Sequence, residues 1–424
     1  MREGKGGRRP GFAALLTVLT VLAGGGAAAT AAQEAELAGV RREVADLREL
    51  SFLAEVEPVY LDRGQLRRRL IGLLRAQGAS RDIPGSTRAL HAFGLVPEGT
   101  PLAPLQLDAA TVAIVGLYVP ETDEMILIGK DDGSLGALEE WTYAHELVHA
   151  LQDQRFGLDA LFAERLTTDD DAGLALGALV EGDASAVDTA YLEAHPELTA
   201  GLLGGLLGTL PGALGLEAPP PLLVHTGSFT YGDGEAFVAA LRAEGGWGVV
   251  DAAYADPPRS TEQILHPEKY HGDRDDPTPV ALPDLGPALG TGWDRVHENA
   301  LGELQTAVLL ADQAPGAVAA LPAAASEAAA GWDGDRYALW SNGDGEILVW
   351  RSVWDGADEA AAFVDALKTL EEDRMGGRWT AAGGTALVGA DGAVQLRRVG
   401  AEVTYVRAPD LALADVAMAA LRDG

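Results

Sequence analysis

The feature that most constrains this chain is a pair of histidines four residues apart in an apolar stretch. The residues at positions 145–149 read His-Glu-Leu-Val-His, an H-E-x-x-H motif. Apolar residues recur around it every three or four positions, and no proline or glycine interrupts the chain between residues 136 and 157. This pattern predicts a helix. Residues four apart share one helix face, so His145 and His149 can both reach one metal ion.

The remaining polar residue of the motif suggests chemistry at that metal. Glu146 follows His145 in the chain, where its carboxylate can hold a water molecule beside the metal and accept its proton. The alternative is that His145 and His149 are ordinary, partly buried helix residues that bind nothing. The apolar frame favours the metal, because a helix that carries ligands has to be held rigidly by a core.

A catalytic metal site usually has three protein ligands and one open position. Three aspartates at residues 169–171 predict the start of a second helix, which extends from about residue 172 to 192. Glu181 falls on its packed face, where an unpartnered carboxylate would be costly, so Glu181 is the predicted third ligand. Asp183 and Asp188 are the alternatives, and either could instead hold a ligand histidine from behind.

The N-terminus has the pattern of an export signal. Basic residues at positions 2–9 precede an apolar run at 12–23 and small residues at 29–31. The apolar run is too short to cross a membrane comfortably. We therefore expect residues 1–31 to be a signal peptide and the mature chain to be secreted, periplasmic or in the cell envelope, without a stable membrane span.

Charge and cysteine content narrow the range of functions. The chain has no cysteine, which excludes disulfides and thiolate metal sites. Its formal net charge is −33 at pH 7, a surface that repels nucleic acid, so no nucleic-acid partner is expected.

Hydrophobic patterning predicts an α+β protein in three parts after the signal. Residues 32–52 form an amphipathic helix, residues 53–276 form a mainly helical domain around the motif, and residues 277–424 form an α+β region with an antiparallel sheet. A β-hairpin is predicted directly before the motif, from strands at 111–119 and 124–128, and a helix is predicted from about residue 298 to residue 311. Its edge could bind a peptide as an added strand, or the hairpin could be only structural.

The motif helix resembles that of gluzincin-type zinc metallopeptidases. In that group the two motif histidines and a glutamate from a following helix bind Zn²⁺, and the motif glutamate is the general base. The resemblance assigns these roles to His145, His149, Glu181 and Glu146, and implies a zincin-like fold for residues 53–276. Residues 181–184, Glu-Gly-Asp-Ala, are similar to the E-G-x-A surroundings of the third ligand in several such families.

Further stretches extend the resemblance. Residues 144–154, 260–270 and 331–337 are similar to a group of secreted bacterial proteins described as metallopeptidases. Residues 231–234 resemble the Y-x-x-G element that supplies an oxyanion-stabilising tyrosine in one gluzincin family of aminopeptidases, which implies that role for Tyr231. A tyrosine packed at a helix start is the alternative. His266 is the second candidate for the oxyanion, with Tyr270 behind it.

Together these features predict a secreted zinc-dependent metallopeptidase whose substrate is a peptide or protein. Two alternatives stay open. One is a non-catalytic envelope protein, a binding or assembly factor with a structural zinc, and the other is a zinc amidase that acts on cell-wall material. The number of subunits is not predicted.

Overall fold

The computed structural model describes residues 31–78, 83–128, 136–166, 169–199, 201–202, 219–272, 274–313, 320–380 and 385–423. The predicted signal peptide, residues 1–31, lies outside the described residues except for its last position. The chain is α+β, with a six-stranded antiparallel sheet in its C-terminal part, as the sequence predicted. No described helix is long and apolar enough to cross a membrane.

The N-terminal part is mostly helical. Its helices are α1 (Ala31–Arg48), α2 (Arg63–Gly78), α3 (Ile83–Phe93), α4 (Leu102–Ala113), α5 (Ala137–Phe156), α6 (Leu158–Arg165), α7 (Asp170–Ala194), α8 (Pro221–Ser228), α9 (Gly234–Gly245), α10 (Trp247–Ala255), α11 (Thr261–Leu265) and α12 (Pro267–Tyr270). A π-helical turn, Phe229–Asp233, joins α8 to α9. Three short strands, β1 (Pro58–Leu61), β2 (Gly116–Val119) and β3 (Glu124–Ile128), form a sheet in the order β1-β3-β2.

The C-terminal part is built on the larger sheet. Its strands are β4 (Asp294–Asn299), β5 (Trp332–Ser341), β6 (Glu346–Trp354), β7 (Ala386–Gly389), β8 (Gly392–Val399) and β9 (Glu402–Ala408), in the order β4-β5-β6-β9-β8-β7. Its helices are α13 (Gly286–Leu289), α14 (Gly302–Ala311), α15 (Ala323–Ala329), α16 (Ala357–Met375) and α17 (Leu411–Asp423). Side chains alternate between the two faces of β6: Leu348 and Trp350 join a core with α16 and α3, while Ile347 and Val349 join a core with α17.

The motif helix α5 begins and ends where its glycines predicted. Gly136 precedes it, with the Glu139 carboxylate accepting a hydrogen bond from the Gly136 N–H, and Gly157 ends it in the left-handed conformation. Helix α7 is capped by Asp169, whose carboxylate accepts a hydrogen bond from the Ala172 N–H. The buried faces of α5 and α7 pack in one core with α1, α9 and α10. Two rigid, adjacent helices therefore carry the predicted ligands.

Two predicted elements differ from the structure. Residues 111–113, predicted as the start of a strand, belong to the last turn of α4, where the Thr111 hydroxyl donates to the Leu107 carbonyl. The expected hairpin is therefore shorter, although β2 and β3 do pair antiparallel. Residues 298–299, predicted to begin a helix, instead end strand β4, because they pair with residues 337–338 of β5. Pairing with a distant strand overrides local helical preference at this position.

The N- and C-terminal parts are joined through a buried contact at the start of α7. Asp171 accepts hydrogen bonds from the backbone N–H and the hydroxyl of Thr261, at 3.2 and 2.6 Å. The Thr261 hydroxyl oxygen in turn accepts from the Leu304 N–H of α14 at 3.2 Å. Helix α3 also packs against β4, β5 and β6 of the larger sheet. The larger sheet thus supports the helices that surround the motif.

Candidate metal centre and adjoining cavity

The structure brings His145, His149 and Glu181 together. The two Nε2 atoms of His145 and His149 lie 3.2 Å apart. Glu181 Oε2 lies 3.3 Å from Nε2 of His145 and 3.5 Å from Nε2 of His149. A metal ion with bonds of about 2.0–2.1 Å and tetrahedral angles separates its ligand atoms by about 3.3–3.4 Å. The three side chains therefore have the spacing of three ligands on one tetrahedral ion.

Hydrogen bonds behind the histidines fix which ring nitrogen faces the cluster. The Gln152 amide donates to the Val180 carbonyl at 2.9 Å, so its oxygen must accept from Nδ1 of His149, at 2.9 Å. Asp188 accepts from Nδ1 of His145 at 2.8 Å. With both protons on Nδ1, each Nε2 turns a lone pair toward the cluster, the tautomer that a metal ligand requires.

The cluster is built to hold positive charge. Within the part of the chain that the structure describes, Glu181 Oε2 is buried and accepts no hydrogen bond. Burial by itself lowers the pKa of His145, but the charges of Asp188 and Glu181 and the hydrogen bond to Asp188 outweigh it and raise that pKa well above its usual value. Burial likewise raises the pKa of Glu181, yet the two histidines hold it well below the usual range. Three electron-pair donors converge where a cation is needed.

Glu146 lies beside the cluster and touches strand β2. Its Oε2 accepts a hydrogen bond from the Tyr118 N–H at 2.7 Å, and the side chain is buried. Burial raises the pKa of Glu146, and the electrostatic attraction of His149 and His145 opposes that rise. Gly116, in the same strand, lets α5 approach, because a Cβ there would lie 2.7 Å from Cγ2 of Thr142 and 3.1 Å from Cγ of Glu146.

The free edge of β2 runs past Glu146. In an antiparallel pair every second residue hydrogen-bonds to the partner strand. The Ile128 N–H donates to the Val115 carbonyl, so residues 117 and 119 also hydrogen-bond to β3. Gly116 and Tyr118 lie between them and direct their backbone groups away from β3. The bond from the Tyr118 N–H to Glu146 agrees with this alternation. In the sheet that the structure describes, β2 is an edge strand.

Tyr231 is also at the cluster, carried by the π-helical turn between α8 and α9. Its ring centroid lies 6.1 Å from that of His145. Burial, together with the charges of Glu181 and Glu146, raises the pKa of Tyr231 well above its usual value, so its hydroxyl stays protonated and can donate. Insertions of this kind into helices are frequent at functional sites.

Two glycines set the position of that turn. A Cβ on Gly182 would lie 2.1 Å from the carbonyl carbon of Gly234, and a Cβ on Gly234 would lie 2.2 Å from the Ala178 carbonyl oxygen. Helix α7 therefore meets the start of α9 with backbone against backbone. This contact places Glu181 and Tyr231 on the same side of the crossing, and it accounts for the glycine after Glu181 in the sequence.

Other predicted site residues lie elsewhere. Nε2 of His266 lies 2.9 Å from Oε1 of Glu303, with which it shares a hydrogen bond. His266 does not line the cavity beside the cluster. Tyr270 donates to the Asp256 carbonyl. Asp183, the first alternative ligand, is bound by Arg48 and by the Tyr254 hydroxyl. Asp188, the second, holds His145 from behind, the role that the sequence left open for it.

The stretches around His266 and Tyr337 serve the joint between the two parts. The Thr261 hydroxyl donates a hydrogen bond to Asp171, and the Ser260 hydroxyl caps α11 by accepting from the Gln263 N–H. Asp335 accepts hydrogen bonds from the indole N–H groups of Trp332 and Trp350 and from the backbone N–H groups of residues 301 and 302. Sequence patterns do not separate such structural clusters of polar residues from catalytic ones.

A cavity of about 360 Å³ adjoins the cluster. His145, Glu146, His149, Glu181 and Tyr231 all line it. Most of the remaining wall is apolar, from leucines of α3, α4, α6, α7 and α8, and Gln305 of α14 and Tyr337 of β5 complete it. The sequence does not reveal this cavity, because helices that are far apart in the chain enclose it. It does not single out Gln152 either, because that residue belongs to no distinctive pattern.

Comparison with protein families gives a match in the C-terminal part of the chain. Residues 290–418 match a domain of unknown function, DUF8575. The matched segment spans the larger sheet and the helices on it, and it excludes the metal-ligand cluster. No curated protein matches the chain, and no solved structure does.

Proposed function

We propose that this protein is a zinc-dependent metallopeptidase with a zincin-like arrangement of its N-terminal part, acting outside the cytoplasm. The observation that carries the proposal is the convergence of His145, His149 and Glu181, with ligand-atom separations of 3.2, 3.3 and 3.5 Å, beside the carboxylate of Glu146. Nitrogen and oxygen ligands at tetrahedral spacing suit Zn²⁺. The resemblance to gluzincins assigns the same residues to the same roles.

When bound, Zn²⁺ would lower the pKa of a water molecule and polarise the scissile carbonyl. Glu146 accepts the proton of that water and returns it to the leaving amine. The N–H of Tyr118 holds the Glu146 carboxylate in place at 2.7 Å. Tyr231, whose raised pKa keeps its hydroxyl protonated, donates a hydrogen bond to the developing oxyanion.

The edge of β2 supports a peptide as the substrate. Gly116 and Tyr118 direct backbone groups away from β3, and both residues line the cavity. An extended peptide can pair with such an edge, which orients its backbone beside the metal. A structural metal site has no use for a buried carboxylate next to an open cavity, so this arrangement favours catalysis over a purely structural zinc.

The experiment is a metal analysis combined with an activity assay on the mature chain. We expect one bound zinc per chain and casein hydrolysis that a chelator abolishes and zinc restores. Glu146→Gln should retain the metal and lower turnover by at least about 10²-fold, the usual contribution of a general base. Glu140→Gln, on the same helix and bonded to Tyr191, is the matched control and should stay active.

Two results would reject the proposal. One is a chain that binds no stoichiometric metal even after reconstitution with zinc. The other is a zinc-loaded chain in which Glu146→Gln changes no measurable hydrolysis of any protein or cell-wall substrate, which would indicate a structural metal.

A further inference from the structure

The cavity follows helix α7 away from the metal cluster. The α7 residues that line it recur three or four positions apart and so share one helix face: Asp170, Gly173, Leu174, Gly177, Val180 and Glu181. Asp170 and Glu181 are eleven positions apart in the chain. At a rise of 1.5 Å per residue this wall is about 16 Å long. An extended peptide advances about 3.3 Å per residue, so the wall matches about five residues.

The chemistry of the wall is apolar and without cations. Leucines of four other helices, at positions 90, 102, 107, 158, 222 and 223, line the cavity with Phe162 and Ile114. Among the lining residues that the structure describes, none is lysine or arginine. Besides the cluster residues Glu146 and Glu181, the only lining carboxylate in the described chain is Asp170. An anionic side chain placed along this wall would lose its hydration without gaining a partner, and a cationic one would find a partner only at Asp170 or at the carboxylates of the cluster.

The C-terminal part bounds the cavity at the Asp170 end. Tyr337 of β5 and Gln305 of α14 line it there. Tyr337 pairs with Asn299 of β4, and the side-chain oxygen of Asn299 accepts a hydrogen bond from the Asp170 N–H at 2.9 Å, so Tyr337 lies beside the start of α7. Tyr337 is fixed by an edge-to-face contact with Phe93, with centroids 5.0 Å apart. The segment that matches DUF8575 therefore contributes directly to the cavity wall.

We propose that the cavity binds an extended peptide segment that is uncharged and apolar over about five residues on one side of the cleaved bond, bounded at its far end by Asp170, Gln305 and Tyr337. The position of the cleaved bond rests on the proposed function, whereas binding of the segment does not. A peptide fits better than a hydrocarbon chain, because the outward backbone groups of Gly116 and the outward carbonyl of Tyr118 lie on the same wall, while the Tyr118 N–H is already bound to Glu146. A peptide backbone offers these outward groups hydrogen-bond partners, and a hydrocarbon chain does not.

Gly177 provides the test. It lies in the middle of the α7 wall, and a Cβ there would meet only Cγ2 of Thr230, at 3.9 Å. A larger side chain at this position therefore enters the cavity without striking the fold. Gly248, a solvent-exposed glycine of α10 with no atom within 4 Å of a Cβ, is the matched control.

Binding is measured by fluorescence anisotropy on the full mature chain carrying Glu146→Gln, with a labelled, capped decapeptide of Leu, Ala, Thr and Gln. A second peptide has two of its leucines replaced by glutamate. We expect the apolar peptide to bind at least about tenfold more tightly than the acidic one, because burying an unpaired charge lowers affinity by more than about tenfold. Gly177→Leu should weaken binding of the apolar peptide at least about tenfold through lost space. Gly248→Leu should leave it unchanged.

Gly177→Ala guards against misfolding of the leucine variant, since it should melt no lower than the parent and still weaken binding measurably. Equal affinity for both peptides, no binding of the apolar peptide, or unchanged affinity in a folded Gly177→Leu chain would each overturn the inference. Tight, Gly177-sensitive binding without hydrolysis by the zinc-loaded wild type upholds the inference and rejects the proposed function. Casein hydrolysis that Gly177→Leu leaves unchanged upholds the proposed function and rejects the inference.

Discussion

At the scale of single residues, the ligand cluster depends on the groups that stand behind the histidines. Asp188 and Gln152 accept from Nδ1 of His145 and His149 and so leave both Nε2 lone pairs directed at Glu181. Each of these partners comes from the same two helices as the ligands, so the cluster and its support are held by one contact between α5 and α7.

Removing the partner of His145 should therefore weaken metal binding without unfolding the chain. We expect Asp188→Ala to lower zinc affinity by roughly 10–100-fold, because the ring loses its orientation and some of its basicity. Competition with a fluorescent chelator measures the change. Asp188→Asn keeps an oxygen that can accept from Nδ1 and should fall between wild type and Asp188→Ala. Unchanged affinity in Asp188→Ala would show that His145 is not a ligand.

Two of the three glycines of α7, Gly182 and Gly177, allow the same substitution to be compared in two different surroundings. Gly182→Ala places a methyl group 2.1 Å from the backbone of Gly234, and should destabilise the fold by about 3 kcal/mol. Gly177→Ala meets nothing closer than 3.9 Å and should stabilise the helix by up to about 1 kcal/mol. Urea unfolding of both variants provides the measurement. Similar midpoints for the two would mean that α7 and α9 are further apart than described.

At the scale of elements, a buried ion network ties the N-terminal helix to α7, the helix that carries Glu181. Arg48 of α1 donates to Asp183 of α7 at 2.6 Å and to Asp251 of α10 at 2.7 Å. The Tyr254 hydroxyl donates to the other oxygen of Asp183 at 2.8 Å, and the Arg48 guanidinium stacks 4.2 Å over the ring of Trp247. Asp183 lies two positions beyond Glu181, so α1 helps to hold the ligand helix.

Breaking this network should be costly. Arg48→Ala leaves the fully buried carboxylate of Asp183 without its cation, and we expect a loss of about 3–5 kcal/mol in the free energy of unfolding. Arg42→Ala removes an exposed arginine of the same helix and should change stability by no more than about 0.5 kcal/mol. Denaturant titration of both variants tests the contrast, and comparable small losses would contradict it.

At the scale of the whole molecule, the two parts share both a joint and a cavity. Besides the Asp171–Thr261 contact, Lys269 of α12 bridges Glu262 of α11 and Asp355 of the C-terminal part, with both distances 2.6 Å. Tyr337 and Gln305 bring the C-terminal part to the cavity wall. The segment that matches the domain of unknown function therefore contributes to one end of the cavity wall and is packed against the N-terminal part.

The joint should make stability depend on pH. Burial raises the pKa of Glu262 to about 8, although Lys269 opposes the rise. The fold thus favours the protonated carboxyl, so this stabilisation is complete below the unfolded pKa of about 4.3 and is lost as pH rises toward 8. Glu262→Gln stays neutral, so its melting temperature should rise relative to wild type between about pH 5 and pH 8. A difference that stays constant or falls over that range would contradict this expectation.

Sequence alone determined the local part of this protein. The spacing of His145 and His149 on one helix follows from the helical period, and the glycines that flank α5 set its ends. The cap of α7 and the hairpins β5-β6 and β8-β9 of the larger sheet likewise follow from nearby residues. Glu181 could be predicted as well, because a carboxylate on a packed helix face needs a partner.

Only the tertiary structure decided how distant segments meet. It placed Asp188 behind His145 while binding Asp183 to Arg48, and it put His266 in a pair with Glu303 away from the cavity. It also enclosed the cavity along α7 with side chains from both parts of the chain. These outcomes depend on packing between residues that are remote in sequence, and local periodicity carries no information about such contacts.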